Sequence, residues 1–302
     1  MKKHLNTLSV DLDGTLIKSD MLFETFWSSF AKDPFIPLKA INFIFKGKAN
    51  LKKFLYEKSS LDITSLPYNQ TVIEYINLHR SRGGKVALVT GTTQELAEDI
   101  SKHLNLFDEV YGSSTNRNLI GTAKANLQKK IFGIKNFDYI GNSYADIQSW
   151  KLSDKAITLN ASKSLKKKSE LINENYYHLI NNDKPTFLKS FTREIRPQQW
   201  IKNILLFIPL IAAQSFDIFS FITSLIAFIS FSFTSSSVYI INDLLDIKAD
   251  RKHPKKCKRP LAAGDLSFNS GFLGALVLIL LGSIFGLAVG ISFLKVLFAY
   301  FF

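Results

Sequence analysis

Cysteine is almost missing from this sequence: one residue, Cys257, stands in a chain of 302. A lone thiol excludes an internal disulfide framework and any zinc site built on cysteines, and Cys257 reads as chemically inert. Acidic residues are also in short supply. Twenty-five Asp and Glu face 38 Lys and Arg, which leaves a formal charge of +13. Such an excess suits nucleic acid in principle. Here the bases gather in a polar stretch and beside apolar runs, where positive charge marks the cytoplasmic side of a membrane, so no nucleic-acid partner is expected. The N-terminus lacks the apolar run of a signal peptide, because Leu5 to Val10 is short, broken by polar residues and closed by Asp11. The first half is therefore expected in the cytosol.

What is present divides sharply along the chain. The length suggests about two domains, and apolar residues crowd into the part after Gln199. Before it, short runs rich in Val, Ile and Leu, each followed by a turn and a helical stretch, predict an α/β doubly wound fold with a parallel sheet. Five strands are expected: Leu8 to Asp13, Lys85 to Gly91, Asp108 to Gly112, Phe137 to Gly141 and Lys155 to Asn160, with helices at Gln94 to Leu104 and Lys124 to Ile131. Residues 19–82 are too many for one crossover and predict an inserted helical cap. The first domain is set at 1–165. A polar linker or peripheral helix follows at 166–192, with three lysines in a row and Asn182-Asp183-Lys184 before Pro185.

Residues 193–302 predict an all-α transmembrane bundle. Ile218 to Ile241 and Phe272 to Phe293 are long enough to span about 30 Å of hydrocarbon. Ile201 to Phe216 is a shorter candidate, and a further apolar run starts at Val296. With a cytosolic first domain, the stretch Ile201 to Phe216 would lead out and Ile218 to Ile241 would lead back, which returns the basic loop Lys248 to Arg259 to the cytoplasmic side of the inner membrane, as its many Lys and Arg require.

Chemistry-bearing residues stand at the expected strand ends. Asp11-Leu12-Asp13-Gly14-Thr15 closes the first strand, where loops of a parallel sheet hold ligands. One carboxylate can attack phosphorus while the other handles a proton; isolated, the pair could equally cap a turn. Val89-Thr90-Gly91-Thr92 offers a hydroxyl and N–H groups to a phosphate oxygen. Lys124 opens a helix, and Tyr139-Ile140-Gly141-Asn142 with Asp146 supplies oxygen ligands suited to magnesium. This ordered set resembles the haloacid dehalogenase (HAD) phosphatase superfamily over about residues 5 to 165. The resemblance implies Asp11 as nucleophile and metal ligand, Asp13 as general acid/base that also gives a backbone oxygen to the metal, Thr90 as phosphate binder, Lys124 as charge neutraliser, and Asn142 and Asp146 as further ligands of Mg2+. Asn142 departs from the family's aspartate, so an active phosphatase and a degenerate or regulatory domain both stay open.

In the second half, Asn242, Asp246 and Asp250 fall at i, i+4 and i+8, with Asp243 at i+1, and are expected to line one helical stripe. Carboxylates so close repel one another unless divalent cations bridge them to a diphosphate. Arg251, Lys256 and Arg259 follow and can grip phosphates beside the metal; Asp246 and Asp250 are the expected metal ligands. His253 reads as shaping the loop, and Lys252, Lys255 and Lys258 as topology determinants. These residues resemble the UbiA-type prenyltransferase superfamily over about residues 193 to 302. That family has more spans and a second aspartate motif, which does not occur before Phe302, so the chain reads as C-terminally truncated. Arg196-Pro197-Gln198-Gln199-Trp200-Ile201-Lys202-Asn203, with Arg196 and Lys202 as candidate substrate contacts, is similar to the branch that makes polyprenyl-phosphate ribose. The resemblance implies a diphosphate donor, 5-phosphoribosyl diphosphate, and a polyprenyl lipid acceptor. Transfer of a prenyl group to an aromatic acceptor, with an inactive first domain, or a non-catalytic membrane module are the other readings.

Overall fold

A computed structural model describes residues 5–115, 117–181 and 185–301. The chain forms two compact units, Met1–Lys184 and Pro185–Phe302. In the first, six parallel strands are ordered β3-β2-β1-β4-β5-β6. They are β1 (Thr7–Val10), β2 (Val86–Thr93), β3 (Glu109–Ser113), β4 (Phe137–Gly141), β5 (Ala156–Leu159) and β6 (Tyr176–Leu179). Both faces of the sheet are covered, which explains why the strands read as continuous apolar runs: Leu8, Val10, Val86, Leu88, Ile140 and Ile157 are all fully buried. The chain runs outward from β1 to β3 and then crosses back to β4. The order therefore reverses between β1 and β4, the position at which open α/β sheets leave a ligand crevice.

The region between β1 and β2 holds α1 (Met21–Phe30), α2 (Ile36–Phe45), α3 (Lys48–Lys58) and α4 (Gln70–Ser81). The first three make the expected cap. The cap ends earlier than residue 82, because Val72 and Ile76 of α4 are fully buried in the main sheet core, as a crossover helix requires. Beyond β2 come α5 (Gln94–Leu104), α6 (Thr122–Phe132) and α7 (Ile147–Leu152).

Of the two readings for 166–192, a linker or a peripheral helix, the described residues show helices together with a strand. Helix α8 (Lys163–Ile172) packs Leu165 into the core, and β6 pairs with β5 from Ala156↔Tyr176 to Leu159↔Leu179. The His178 ring bridges Thr158 Oγ1 at 2.7 Å and Glu170 Oε1 at 2.9 Å, tying β5, β6 and α8 together. Asn182, Asp183 and Lys184 of that linker lie outside the described residues.

The second unit starts with α9 (Phe187–Glu194), a 3₁₀ stretch over Pro197–Phe207 and the short α10 (Ile208–Ala212). Then come α11 (Ile218–Leu245), α12 (Ile247–Lys252), α13 (Phe268–Val289) and α14 (Ile291–Phe301). Among the described residues, α11 and α13 alone are long and apolar enough to cross a membrane. The span expected at Ile201 to Phe216 is not one regular helix. It divides into a 3₁₀ stretch and the short α10, with Pro209 in the first turn of α10, and Arg196 ahead of it has a left-handed φ of 51°. The apolar run expected from Val296 is instead part of a helix beginning at Ile291. Helices α11 and α13 approach through small residues. Ser230 Oγ donates to the Gly282 carbonyl at 2.6 Å and Ser237 Oγ to Ala275 at 2.9 Å, which suits helix contacts in lipid.

Candidate active sites

In the first unit, Asp11 and Asp13 leave the end of β1 at the switch point. Gly14 makes the turn possible with φ +70°. A Cβ there would lie 2.2 Å from Asn142 Nδ2, so the glycine lets the β1 and β4 loops meet. Asp11 is 7% exposed. Its Oδ1 accepts from the Leu12 N–H at 2.9 Å and from Lys124 Nζ at 2.7 Å. Lys124 comes from the first turn of α6 and also donates to the Tyr139 hydroxyl at 3.0 Å. Tyr139 in turn donates to Asp146 Oδ1 at 2.6 Å. Asp11, Lys124, Tyr139 and Asp146 thus form one buried chain of hydrogen bonds.

Asp13 faces the cap side. Its Oδ1 accepts from the Met21 N–H at 2.8 Å and its Oδ2 from Thr92 Oγ1 at 3.0 Å. Burial first, then the charge of Asp20, raises its pKa to about 7. Asp11 is raised to about 6, again by burial, with Lys124 opposing. For Lys124 burial works against the charge, but Asp11 and Asp146 outweigh it and the pKa rises. Burial, reinforced by Asp11 and Asp146, lifts Tyr139 well above the usual phenol range, so it stays a proton donor.

Asp146 and Thr90 are both engaged by their own loops. Asp146 is 1% exposed. Besides Tyr139, it accepts from the Asn142 and Ser143 N–H groups and from Ser143 Oγ, each at 3.0 Å. Its oxygens shape the β4 loop and lie near Lys124 Nζ, at 3.6 Å. Thr90 is fully buried and its Oγ1 accepts from the Thr92 N–H at 3.0 Å, bracing the loop where the β2–β3 register shifts. One contact was missed from sequence. Lys52, on cap helix α3, donates to the Gly91 carbonyl at 2.5 Å and lines a small cavity with Met21, Thr25, Thr92 and Leu96.

Among the described residues no group of three or more His, Cys, Asp or Glu is arranged to hold a metal ion. Asp11 and the partly exposed amide of Asn142 still put two hard oxygen donors on adjacent loops of one crevice. That set fits magnesium, which keeps several waters and needs few protein ligands.

In the second unit the aspartates do not share one stripe. Asp243 and Asp250 are 4% and 1% exposed, whereas Asn242 and Asp246 face outward. A separation of seven is almost two full turns, so Asp250 rotates to the side of Asp243. Asp243 is ion-paired with Arg196 and accepts from Arg259 Nη1 at 2.9 Å. The same Arg259 nitrogen lies 2.5 Å from Asp250 Oδ2, and Lys256 Nζ lies 3.6 Å from Asp250 Oδ1. The two carboxylates therefore clamp three cations, Arg196, Arg259 and Lys256. Asn242 and Asp246, one turn apart on the outward face, are the oxygen donors that fit a magnesium ion here.

Arg251 donates through Nε to the Ala262 carbonyl at 3.0 Å, which gives it a role in bracing the loop; Lys202 is exposed on the 3₁₀ stretch. Sequence reasoning also missed Glu194. It is 1% exposed, and burial first, then the charge of Asp243, pushes its pKa up to about 8. Only its place one residue before the Ile195-Arg196 entry hinted at a role.

Residues 204–302 match the family model described as the UbiA prenyltransferase family. Over 276 residues the chain is 36% identical to the uncharacterized protein y4nM of Sinorhizobium fredii, an alignment covering 91% of this chain and 53% of that protein. Over 105 residues it is 40% identical to the decaprenyl-phosphate phosphoribosyltransferase of Corynebacterium glutamicum, covering 34% of this chain and 30% of that protein. The chain thus spans about half the length of the first relative and less than a third of the second. A solved structure described as a phospho-aspartyl intermediate analogue of phosphoserine phosphatase aligns at 20% identity with a TM-score of 0.40, over 55% of this chain and 91% of that one. Residues 204–302 form a domain of the UbiA prenyltransferase family.

Proposed function

We propose that this chain serves two consecutive steps on a membrane lipid: transfer of a phosphoribosyl group from a diphosphate donor to a polyprenyl phosphate, then hydrolysis of the phosphate left on the product. What carries the reading is that one chain holds both an outward Asn242/Asp246 pair beside clamped cations and a buried Asp11/Asp13 array suited to phosphoryl transfer. The phosphoribosyltransferase name of the Corynebacterium relative supports the choice of donor and acceptor over a prenylated aromatic.

In the UbiA domain, Arg196, Arg259 and Lys256 are held by Asp243 and Asp250. Fixed cations of this kind stabilise charge that develops on a departing diphosphate without reorganising. Asn242 and Asp246 would hold magnesium, which neutralises the diphosphate when bound.

In the first unit, Oδ2 of Asp11 attacks phosphorus, since Oδ1 is occupied by Lys124 and Leu12. A P–O bond to Asp11 forms as the bond to the ribose oxygen breaks, and that oxygen takes the proton of Asp13. A pKa raised to about 7 keeps that proton available near neutrality. Water then attacks phosphorus, the P–O bond to Asp11 breaks to regenerate its carboxylate and release inorganic phosphate, and the water's proton goes to Asp13. Lys124 screens the negative charge gathering between Asp11 and the phosphoryl oxygens. Asp11 and Asn142 would hold the magnesium ion that shields those oxygens.

The full chain reconstituted in bilayers should release phosphate from lipid-linked ribose 5-phosphate in the presence of magnesium, and faster than from a generic soluble phosphoester. Asp11→Asn should stop both. Release from neither substrate by the unmodified chain would sink the hydrolytic half of the reading.

A further inference from the structure

The second cap helix carries an apolar face with no partner among the described residues. Helix α2 buries one row, Ile36 and Ala40, and stacks Phe43 on Phe54 of α3 at 4.2 Å between ring centroids. Elsewhere Phe35, Leu38, Ile41, Ile44 and Phe45 are 63%, 64%, 45%, 58% and 86% exposed. Leu38, Ile41 and Phe45 recur at spacings of three and four, which makes a continuous stripe along the helix. A surface helix of a soluble domain buries one apolar stripe; α2 has two.

Its surroundings carry an excess of positive charge, with Lys39 ion-paired to Asp33. Lys32, Lys39, Lys46 and Lys48 are exposed around the helix, and residues 32–58 contain seven lysines against Asp33 and Glu57. Ten apolar-rich residues are too few to cross a bilayer. An apolar stripe rimmed by lysines is the pattern of a helix that lies in the membrane interface. We propose that this face of the cap docks on the bilayer that holds the chain's own spans, with Leu38, Ile41 and Phe45 among the acyl chains and the lysines on anionic headgroups.

Charge selects this occupant over a second copy of the chain. A twofold contact between identical faces would set the lysines of one copy against those of the other. Anchoring by α11 and α13 also makes docking effectively intramolecular, so weak intrinsic affinity suffices. The inference rests on neither of the proposed activities.

The test uses the full chain with Cys257→Ser and one new cysteine, Leu38→Cys, Ile41→Cys or Phe45→Cys, labelled with a bimane fluorophore. Lys130→Cys, exposed on α6, serves as reference. Vesicles are phosphatidylcholine with or without phosphatidylglycerol, and contain doxyl-labelled lipid as quencher. Quenching at positions 38, 41 and 45 should exceed that at 130 by about twofold or more, rise with phosphatidylglycerol and weaken with salt, as interfacial binding does. Equal quenching at all four positions would overturn the proposal. So would fluorescence transfer between copies that grows with protein density while lipid quenching stays at the reference level.

Discussion

Asp13 sits where its charge opposes folding. Its pKa rises from 3.8 to about 7, burial being the first cause. Between those values the native state binds more protons than the unfolded chain, so this group makes stability fall as pH rises from about 4 to about 7. Asp13→Asn keeps both contacts, since its Oδ1 still accepts from Met21 and its Nδ2 can donate to Thr92 Oγ1. At pH 8 the variant should melt roughly 2–4 °C above the parent, the shift that about 1 kcal/mol produces in a domain of this size. Below pH 4 the advantage should vanish, and phosphate release should be lost at every pH. Melting followed by the fluorescence of Trp27 and Trp150 measures this; a lower melting temperature at pH 8 would refute it. At this scale the sequence was partly legible. Asp11, Lys124 and Asn142 were found because each ends a strand or opens a helix at a fixed place in an ordered motif. Lys52 was not, because it stands among Lys48, Lys53 and Lys58 and only the tertiary fold turns it toward Gly91.

At the scale of elements, four of the five expected strands were legible as dense apolar runs closed by Gly, Asp or Asn, whereas Asp108 to Gly112 offers only Val110 and Tyr111 between its acids and its glycine. Strand β6 was missed because Tyr176-Tyr177-His178-Leu179 is an edge strand whose first two residues are exposed. Its hydrogen-bond partner β5 lies elsewhere in sequence. The aspartate stripe failed for a geometric reason: a count of i, i+4 and i+8 drifts around a helix, whereas Asp243 and Asp250 nearly eclipse. In the membrane unit, the contact of α11 with α13 rests on close approach at Gly282. A Cβ there would lie 2.4 Å from Thr234 Oγ1 and 3.1 Å from the Ser230 carbonyl, which is backbone and cannot swing away. Gly282→Leu should therefore force the helices apart and destabilise the unit by about 1–3 kcal/mol, the usual cost of overpacking. Thermal unfolding in detergent checks this, with Gly290→Ala unsuitable as a control because of its φ of 143°. An unchanged melting temperature for Gly282→Leu would mean the two helices have room the contact does not suggest.

At the scale of the whole molecule, the two units have separate cores and separate polar sites. Substitutions that share no partners act almost independently. Asp246→Ala removes an exposed oxygen donor without touching the Asp243–Arg196–Arg259–Asp250 clamp, so α11 and the loop should keep their structure. It should abolish magnesium-dependent binding of a diphosphate to the full chain in bilayer discs while leaving hydrolysis of a soluble phosphoester at the parent rate. Asp250→Ala acts differently: it leaves Arg259 and Lys256 short of a partner, so it should weaken diphosphate binding and lower the melting temperature together. Asp11→Asn should do the reverse of Asp246→Ala, stopping hydrolysis with diphosphate binding intact. Radiolabelled diphosphate binding and phosphate release, measured on the same preparations, separate these outcomes. Loss of both activities in Asp246→Ala, with an unchanged melting temperature, would contradict two independent sites.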